Sequence, residues 1–404
     1  LLENKKYDFI VIGAGIIGLS IVKELTERFP KAKIALLEKE NDIGYHASGR
    51  NSGVLHSGIY YPKDSLKSSV CANGGKRLYH FAKEHHIPCK KLGKVIIATH
   101  EREIPTLKTL LKNAKLNQIN AELLNTQEIK KIEPYASPYE LGIYIPDAAN
   151  IDSKSVLKTL KKIIQDRGVK FYFNNEIIKF DKKNKTLIST QQKFNYAYLF
   201  NCAGTGTDTI AKMFGLAQNY RLLPFKGIYY ELKKENQYLV NGNIYPVPDL
   251  NLPFLGVHFT RSIHGNVYVG PTAIPAFGRE NYGIFQGMDF EAFRIMKDIF
   301  SMYCKNHQNF RMLIHSEMKK YLKSHFVANA KKLVPSIHSN HLTSSQKVGI
   351  RPQLINIHKK KIELDYIIEK TENSTHILNA ISPAFTSAFS FAEWVVNSME
   401  DKVC

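Results

Sequence analysis

Gly13-Ala14-Gly15-Ile16-Ile17-Gly18 removes the side chain from three positions in six, directly after an apolar run at residues 7–12. In that setting Gly13 permits a tight turn, Gly15 lets a pyrophosphate approach the backbone, and Gly18 allows close packing of helix on strand. Free N–H groups at the start of the following helix attract phosphate oxygens. Glu38, 20 residues past Gly18, ends the next apolar run and can accept both ribose hydroxyls. Its charge would repel a 2′-phosphate. The spacing therefore predicts a dinucleotide without that phosphate, either FAD or NAD.

The elements that must position this motif follow from the hydrophobic pattern. Residues 7–12 read as a buried strand, 19–28 as a helix and 33–37 as a second strand, a complete βαβ unit. Helices are predicted at 65–85, 104–117 and 153–167, and strands at 94–99, 142–146 and 169–173. Residues 196–203 read as a strand ending in Gly204-Thr205-Gly206, where a second helix should begin. That repeats the strand, small-residue turn, helix order of the first unit. Residues 221–272 are β-rich, with strands at 227–232, 254–261 and 266–269, whereas 290–332 is helical and basic. A strand at 375–380, a turn at Ser382-Pro383 and a final helix close the chain.

This order implies an α/β protein of two interleaved domains. The nucleotide-binding sheet draws on residues 1–90, 147–217 and 345–404, and a mostly antiparallel α+β substrate domain on 91–146 and 218–344. A chain of 404 residues with 44% hydrophobic and 23% charged residues is ordinary globular material, which excludes a disordered or collagen-like polymer. Lys+Arg 56 against Asp+Glu 36 gives a net charge of +20, which attracts anionic lipid, nucleic acid or acidic metabolites. Lysine clusters at 319–320, 331–332 and 359–361 are either solvated faces or points of attraction to an anionic membrane. No recognised nucleic-acid motif accompanies the charge, so no nucleic-acid partner is expected. Five cysteines without a CxxC pair point to a reducing compartment, and no metal is expected. No run of about 18 apolar residues is present to span a bilayer. Any membrane contact should be peripheral. The expected location is the cytoplasm, either free or peripheral on the inner membrane, or the mitochondrion if a targeting segment has been removed upstream.

Three further segments carry a family resemblance. They are Gly49-Arg50-Asn51-Ser52-Gly53-Val54-Leu55-His56-Ser57-Gly58-Ile59-Tyr60-Tyr61, then Gly242-Asn243-Ile244-Tyr245-Pro246-Val247-Pro248-Asp249 with Pro253-Phe254-Leu255-Gly256-Val257-His258-Phe259-Thr260, and Ser382-Pro383-Ala384 with Thr386. Together with the N-terminal unit they resemble the L-2-hydroxyglutarate oxidase/dehydrogenase family, within the d-amino-acid-oxidase-like FAD superfamily. The likeness runs over nearly the whole chain. It implies a Rossmann-type FAD-binding domain and selects FAD over NAD, because the chain returns late to the first sheet at Ala203-Gly204. It also implies oxidation of L-2-hydroxyglutarate, or a close 2-hydroxy dicarboxylic acid, to 2-oxoglutarate, with electrons passing to quinone or oxygen. Lys226, Gly278 and Pro352 depart from the family pattern. An arginine-to-lysine change at a bidentate carboxylate site is not neutral.

Oxidising a 2-hydroxy acid needs a base for the hydroxyl proton and cations for the carboxylates, while the flavin takes the hydride. A histidine whose pKa lies near neutral suits the base role. His56 lies in the Gly- and Ser-rich segment that the resemblance places near the flavin ring. His258 lies mid-strand in 254–261, where alternation puts Gly256, His258 and Thr260 on one face. Arg351 can fork onto a carboxylate. Lys226, Arg261, Tyr60 and Tyr61 are further substrate-binding candidates, with Arg279 a secondary cation. Lys39, Asn51, Ser52, Gly53, Ala203, Gly204, Ser382, Pro383 and Ala384 join Gly13, Gly15, Gly18 and Glu38 as candidate FAD contacts. The 382–384 group should mark a helix N-terminus, favouring negative charge on the flavin. Two rivals remain: an amine or amino-acid oxidase of the same fold, and an RNA-binding or non-catalytic flavoprotein.

Overall fold

A computed structural model describes residues 4–250 and 254–400. Pro253 of the second motif and Cys404 lie outside the described residues. The first strand, Asn4–Ile12, is the hub of an eight-stranded sheet. It pairs in parallel with Ile34–Leu37 on one side and Lys193–Asn201 on the other. Lys170–Tyr172 and Ser374–Ile377 extend the parallel set outward. Strands buried on both faces should read as continuous apolar runs. Ile10, Val11 and Ile12, and Ala35, Leu36 and Leu37, do so with almost no exposed surface.

Helices cover the sheet. Ile16–Arg28 buries Leu19, Val22 and Leu25, the stripe expected for a core-facing helix. The final helix, Ala384–Glu400, packs against it and against Leu66–Glu84, sending Phe391 and Val395 into the same core as Leu78 and Phe81. Ser65 caps Leu66–Glu84 by accepting from the Ser68 N–H. Gly74 lies so close to Ser387 that a Cβ there would stand 2.6 Å from its Cα. The C-terminal helix is thereby held against the segment carrying His56, whose N–H donates to Thr386 Oγ1 at 3.0 Å.

A nine-stranded, mostly antiparallel sheet forms the second layer system. Its centre is Phe225–Leu232, Val267–Gly270, His258–Arg261 and Asn243–Pro246, the last pairing in parallel with Lys94–Ile97. Three expectations need correction here. The boundary at 345 falls inside the strand Leu342–Arg351, which pairs with Phe225–Leu232 of the second sheet. The strand predicted at 254–261 is only His258–Arg261, so His258 opens it instead of lying in its middle. Opposite the missing half stand Pro246 and Pro248, which have no N–H to continue a ladder. Lys320 is buried and paired with Glu317, so the 319–320 cluster is not a solvated lysine pair.

The tightest contact of the N-terminal unit is at Gly18, where a Cβ would stand 1.9 Å from the Gly13 carbonyl oxygen. Gly18→Ala must push helix and turn apart. The urea midpoint should fall by the equivalent of about 1–3 kcal/mol. An unchanged midpoint would show that the glycine is not there for packing.

Candidate active site

One cavity of about 540 Å³ runs from the N-terminal glycine turn to the second sheet. At one end stand Gly13, Gly15, Glu38 and Lys39, and at the other His56, His258 and Arg351, with Ser382, Pro383 and Ala384 between. Asn51, Ser52, Ala203 and Gly204 also line it. Residues as far apart in sequence as Gly13 and Arg351 line it because both sheets contribute.

The dinucleotide end is built from a glycine turn and one carboxylate. Gly13 has φ +101°, and a Cβ on it would meet the Cys202 carbonyl oxygen at 2.5 Å. Only glycine fits such a position. Gly15 leaves the backbone bare at the helix start, where the Ile16 N–H donates to Ser48 Oγ at 2.9 Å. Glu38 accepts from the Ala14 N–H at 2.7 Å and the Glu40 N–H at 3.0 Å. Burial raises its pKa, and these backbone bonds oppose the rise. Two carboxylate oxygens offer about four lone-pair sites, so acceptor capacity remains for ribose hydroxyls. These residues fit FAD: Glu38 would hold the ribose, the bare glycine turn the pyrophosphate, and the 382–386 helix start the flavin edge. Lys39 contacts both Glu40 and Glu280, so its ammonium is already engaged.

The other end is set by two neutral imidazoles. His258 Nδ1 lies 2.7 Å from the Gly256 carbonyl oxygen. A carbonyl can only accept, so Nδ1 carries the proton and Nε2 keeps a free lone pair. The ring stacks on Tyr245 with centroids 3.9 Å apart. Burial pushes His258 down to about 3 against a weaker upward pull from Gly256, with Arg351, Lys94 and Lys320 adding downward. His56 is also pushed down to about 3, by burial first and then by Lys94, His258 and Arg351. Its Nε2 lies 3.4 Å from Ser382 Oγ, and its Nδ1 has no partner among the described residues. Both rings are therefore uncharged at neutral pH.

Arg351 is the cation at this end. Its Nη1 donates to the Thr272 carbonyl at 3.2 Å and its guanidinium lies 5.3 Å from the Phe254 ring centre. The carboxylate acting on it, Glu317, is already paired with Lys320 and accepts the Ala273 N–H. Most of the guanidinium fork is thus available to an incoming carboxylate.

Several expected residues lie elsewhere. Lys226 does not line the cavity: its ammonium donates to Asn281 Oδ1 at 3.2 Å and the Gly283 carbonyl at 2.5 Å, pinning the 281–283 turn. Alternation explains this, since Gly227 and Tyr229 take the cavity-facing positions of that strand. Arg261, three residues past His258 and so on the opposite face, gives its fork to the carbonyls of Val240, Gly265 and Gln237. Arg279 lines the cavity but is held by Asp208 and Glu291. Tyr60 and Tyr61 are outside the lining, as are Gly18 and Gly53, which pack against Gly13 and Ile151. Ser48, Tyr229 and Tyr245 do line it and carried no sequence signal strong enough to select them.

Comparison with known proteins agrees with this geometry. Residues 8–398 match the family described as FAD dependent oxidoreductase. The chain is 34% identical to an L-2-hydroxyglutarate dehydrogenase of Indibacter alkaliphilus, over 96% of this chain and 99% of that one. It is 35% identical to the L-2-hydroxyglutarate dehydrogenase of Escherichia coli (strain K12), over 98% of this chain and 93% of that one. Among solved structures, the FAD-bound L-alpha-glycerophosphate oxidase of Mycoplasma pneumoniae shares the fold, with TM-score 0.77 and 23% identity, covering 98% of this chain and 95% of that one. A glycine turn built for a pyrophosphate, two neutral histidines at the far end of the same cavity and these full-length likenesses agree: the chain belongs to the FAD-dependent oxidoreductases, in the L-2-hydroxyglutarate dehydrogenase family.

Proposed function

We propose that this chain oxidises the 2-hydroxyl carbon of L-2-hydroxyglutarate, or a close 2-hydroxy dicarboxylic acid, to the 2-oxo acid. The observation that carries the reading is the His258 Nδ1 bond to Gly256, which leaves Nε2 as a bare base inside the FAD cavity. Bound FAD supplies the two-electron acceptor for the hydride leaving C2. His258 Nε2 takes the hydroxyl proton, and Arg351 holds the adjacent carboxylate. His56, neutral and with an unpartnered Nδ1, offers a second hydrogen bond to the substrate oxygen. A charged imidazole in either place could not accept the proton, so each ring starts neutral, and the carboxylate held by Arg351 would offset the positive neighbours that otherwise oppose protonation.

The exposed surface supports a membrane as the place where electrons leave. The segment 284–300 presents Phe290 92% exposed, Phe285 79% and Phe293 72%, with Ile284 and Phe300 beside them. Phe293, Met296 and Phe300 recur on one face of the helix Glu291–Lys305. Arg294 and Lys297 flank that face within a chain of net charge +20. Apolar side chains bordered by cations suit the headgroup boundary of an anionic bilayer. No helix among the described residues is long and apolar enough to cross one. Quinone dissolved in that bilayer is the proposed acceptor, leaving as quinol with the two electrons and two protons.

Mixing the purified holoprotein anaerobically with L-2-hydroxyglutarate should bleach the flavin, and the D-enantiomer should not. His258→Gln should keep its flavin but slow that bleaching by about 10²–10⁴-fold. Bleaching by neither enantiomer, or an unimpaired variant, would contradict the reading. Vesicles rich in phosphatidylglycerol should co-sediment the protein, and Phe285→Glu/Phe290→Glu/Phe293→Glu should abolish co-sedimentation while bleaching continues. Retained binding by the triple variant, or a dimer in place of vesicle binding, would remove this face from the membrane.

A further inference from the structure

Lys94 is 1% exposed, yet its ammonium has no hydrogen-bond partner among the described residues. It opens the strand Lys94–Ile97, which pairs with Asn243–Pro246 and so lies beside Tyr245. The ammonium sits 5.1 Å from the Tyr245 ring centre and 5.0 Å from that of Tyr60. The Tyr60 hydroxyl is likewise buried without a partner. No carboxylate offsets the charge: the one ionisable group acting to hold it is the Cys71 thiol, itself pushed up to about 12 by burial and therefore neutral. A buried ammonium without an anion is costly, and two aromatic faces compensate only part of that. The site is one Tyr ring from the chemistry, because Tyr245 lines the cavity and stacks on His258. Lys94 also acts on His56 and His258, lowering both.

We propose that Lys94 and Tyr60 receive the second carboxylate of a dicarboxylic 2-hydroxy acid, while Arg351 receives the first. The inference rests on the 2-hydroxy acid reading above and adds the basis of chain-length and charge selection. Two cations without dedicated carboxylates of their own, Arg351 in the cavity lining and Lys94 outside it but 5.1 Å from the ring centre of the lining residue Tyr245, match a substrate with two carboxylates. An ammonium on a flexible four-carbon stem can follow the far carboxylate past the Tyr245 ring. The Tyr60 hydroxyl, outside the lining like Lys94 and on a ring centred 5.0 Å from its ammonium, would add a hydrogen bond once the carboxylate reaches that ammonium.

The test compares L-2-hydroxyglutarate with L-2-hydroxyvalerate, which has the same carbon chain and no second carboxylate. Lys94→Met replaces the ammonium with an apolar group of similar size and should leave flavin content and Tm intact. Its kcat/KM for L-2-hydroxyglutarate should fall by about 30-fold or more, while that for L-2-hydroxyvalerate is unchanged or rises. Tyr60→Phe should move the ratio in the same direction by a smaller factor. Binding of glutarate, a dicarboxylate that cannot react, followed by perturbation of the flavin spectrum, should weaken in parallel in Lys94→Met. Equal losses for both acids, or a preserved preference for the dicarboxylate, would overturn the subsite while leaving the 2-hydroxy acid reading standing. A wild-type holoprotein reduced by neither acid would overturn both.

Discussion

The hydrogen bond from His258 Nδ1 to the Gly256 carbonyl is the contact on which the proposed chemistry depends. It exists because a strand stops early. Pro246 and Pro248 cannot extend the ladder, so residues 254–257 leave the sheet and the Gly256 carbonyl is free to accept from a side chain two residues on. Had the strand run through Gly256, that carbonyl would face a neighbouring strand and the imidazole would lack a fixed tautomer. The same turn brings Phe254 under the Arg351 guanidinium. The proposed base and cation are thus set by one interruption in one sheet.

Electrostatics at this end of the cavity are one-sided. Arg351, Lys94 and the paired Lys320 surround two imidazoles, and the carboxylate among them, Glu317, is already committed. Burial and positive neighbours keep both rings neutral, and the negative charge of a substrate carboxylate between them would offset those neighbours and raise the basicity of the rings. The same neighbours attract an anionic substrate. The dinucleotide end shows the opposite arrangement, with a half-buried Glu38 accepting backbone N–H groups beside a bare glycine turn. A dinucleotide lying along the cavity therefore joins two environments that neither sheet could supply alone.

The N-terminal unit was legible because its requirements are local: three glycines, an apolar strand on each side and one acid at the right distance. The elements around it were legible from apolar periodicity for the same reason. Lys226 and Arg261 show where residue type misleads. Both are cations on strands that reach the cavity, yet each falls on the opposite face from a cavity-facing residue, Lys226 next to Gly227 and Arg261 three residues past His258. That phase was present in the alternation and outweighed by charge. Lys94 was not legible at all. A lysine opening an apolar strand reads as a solvated end, and its burial comes from Tyr60 and Tyr245, which arrive from distant parts of the chain. The boundary at 345 failed similarly, because pairing of Leu342–Arg351 with Phe225–Leu232 is a long-range event.

The protonation of His258 is the most direct point of attack. Nitrogen-15 spectra of histidine-labelled holoprotein, with the His258 signal assigned by its loss in His258→Gln, should show a proton on Nδ1 and a bare Nε2 at neutral pH. The ring should stay uncharged as the pH is lowered past its ordinary value of 6.5, since burial pushes it down to about 3. A proton on Nε2, or an imidazolium already present at pH 6.5, would contradict a base held ready by the Gly256 carbonyl.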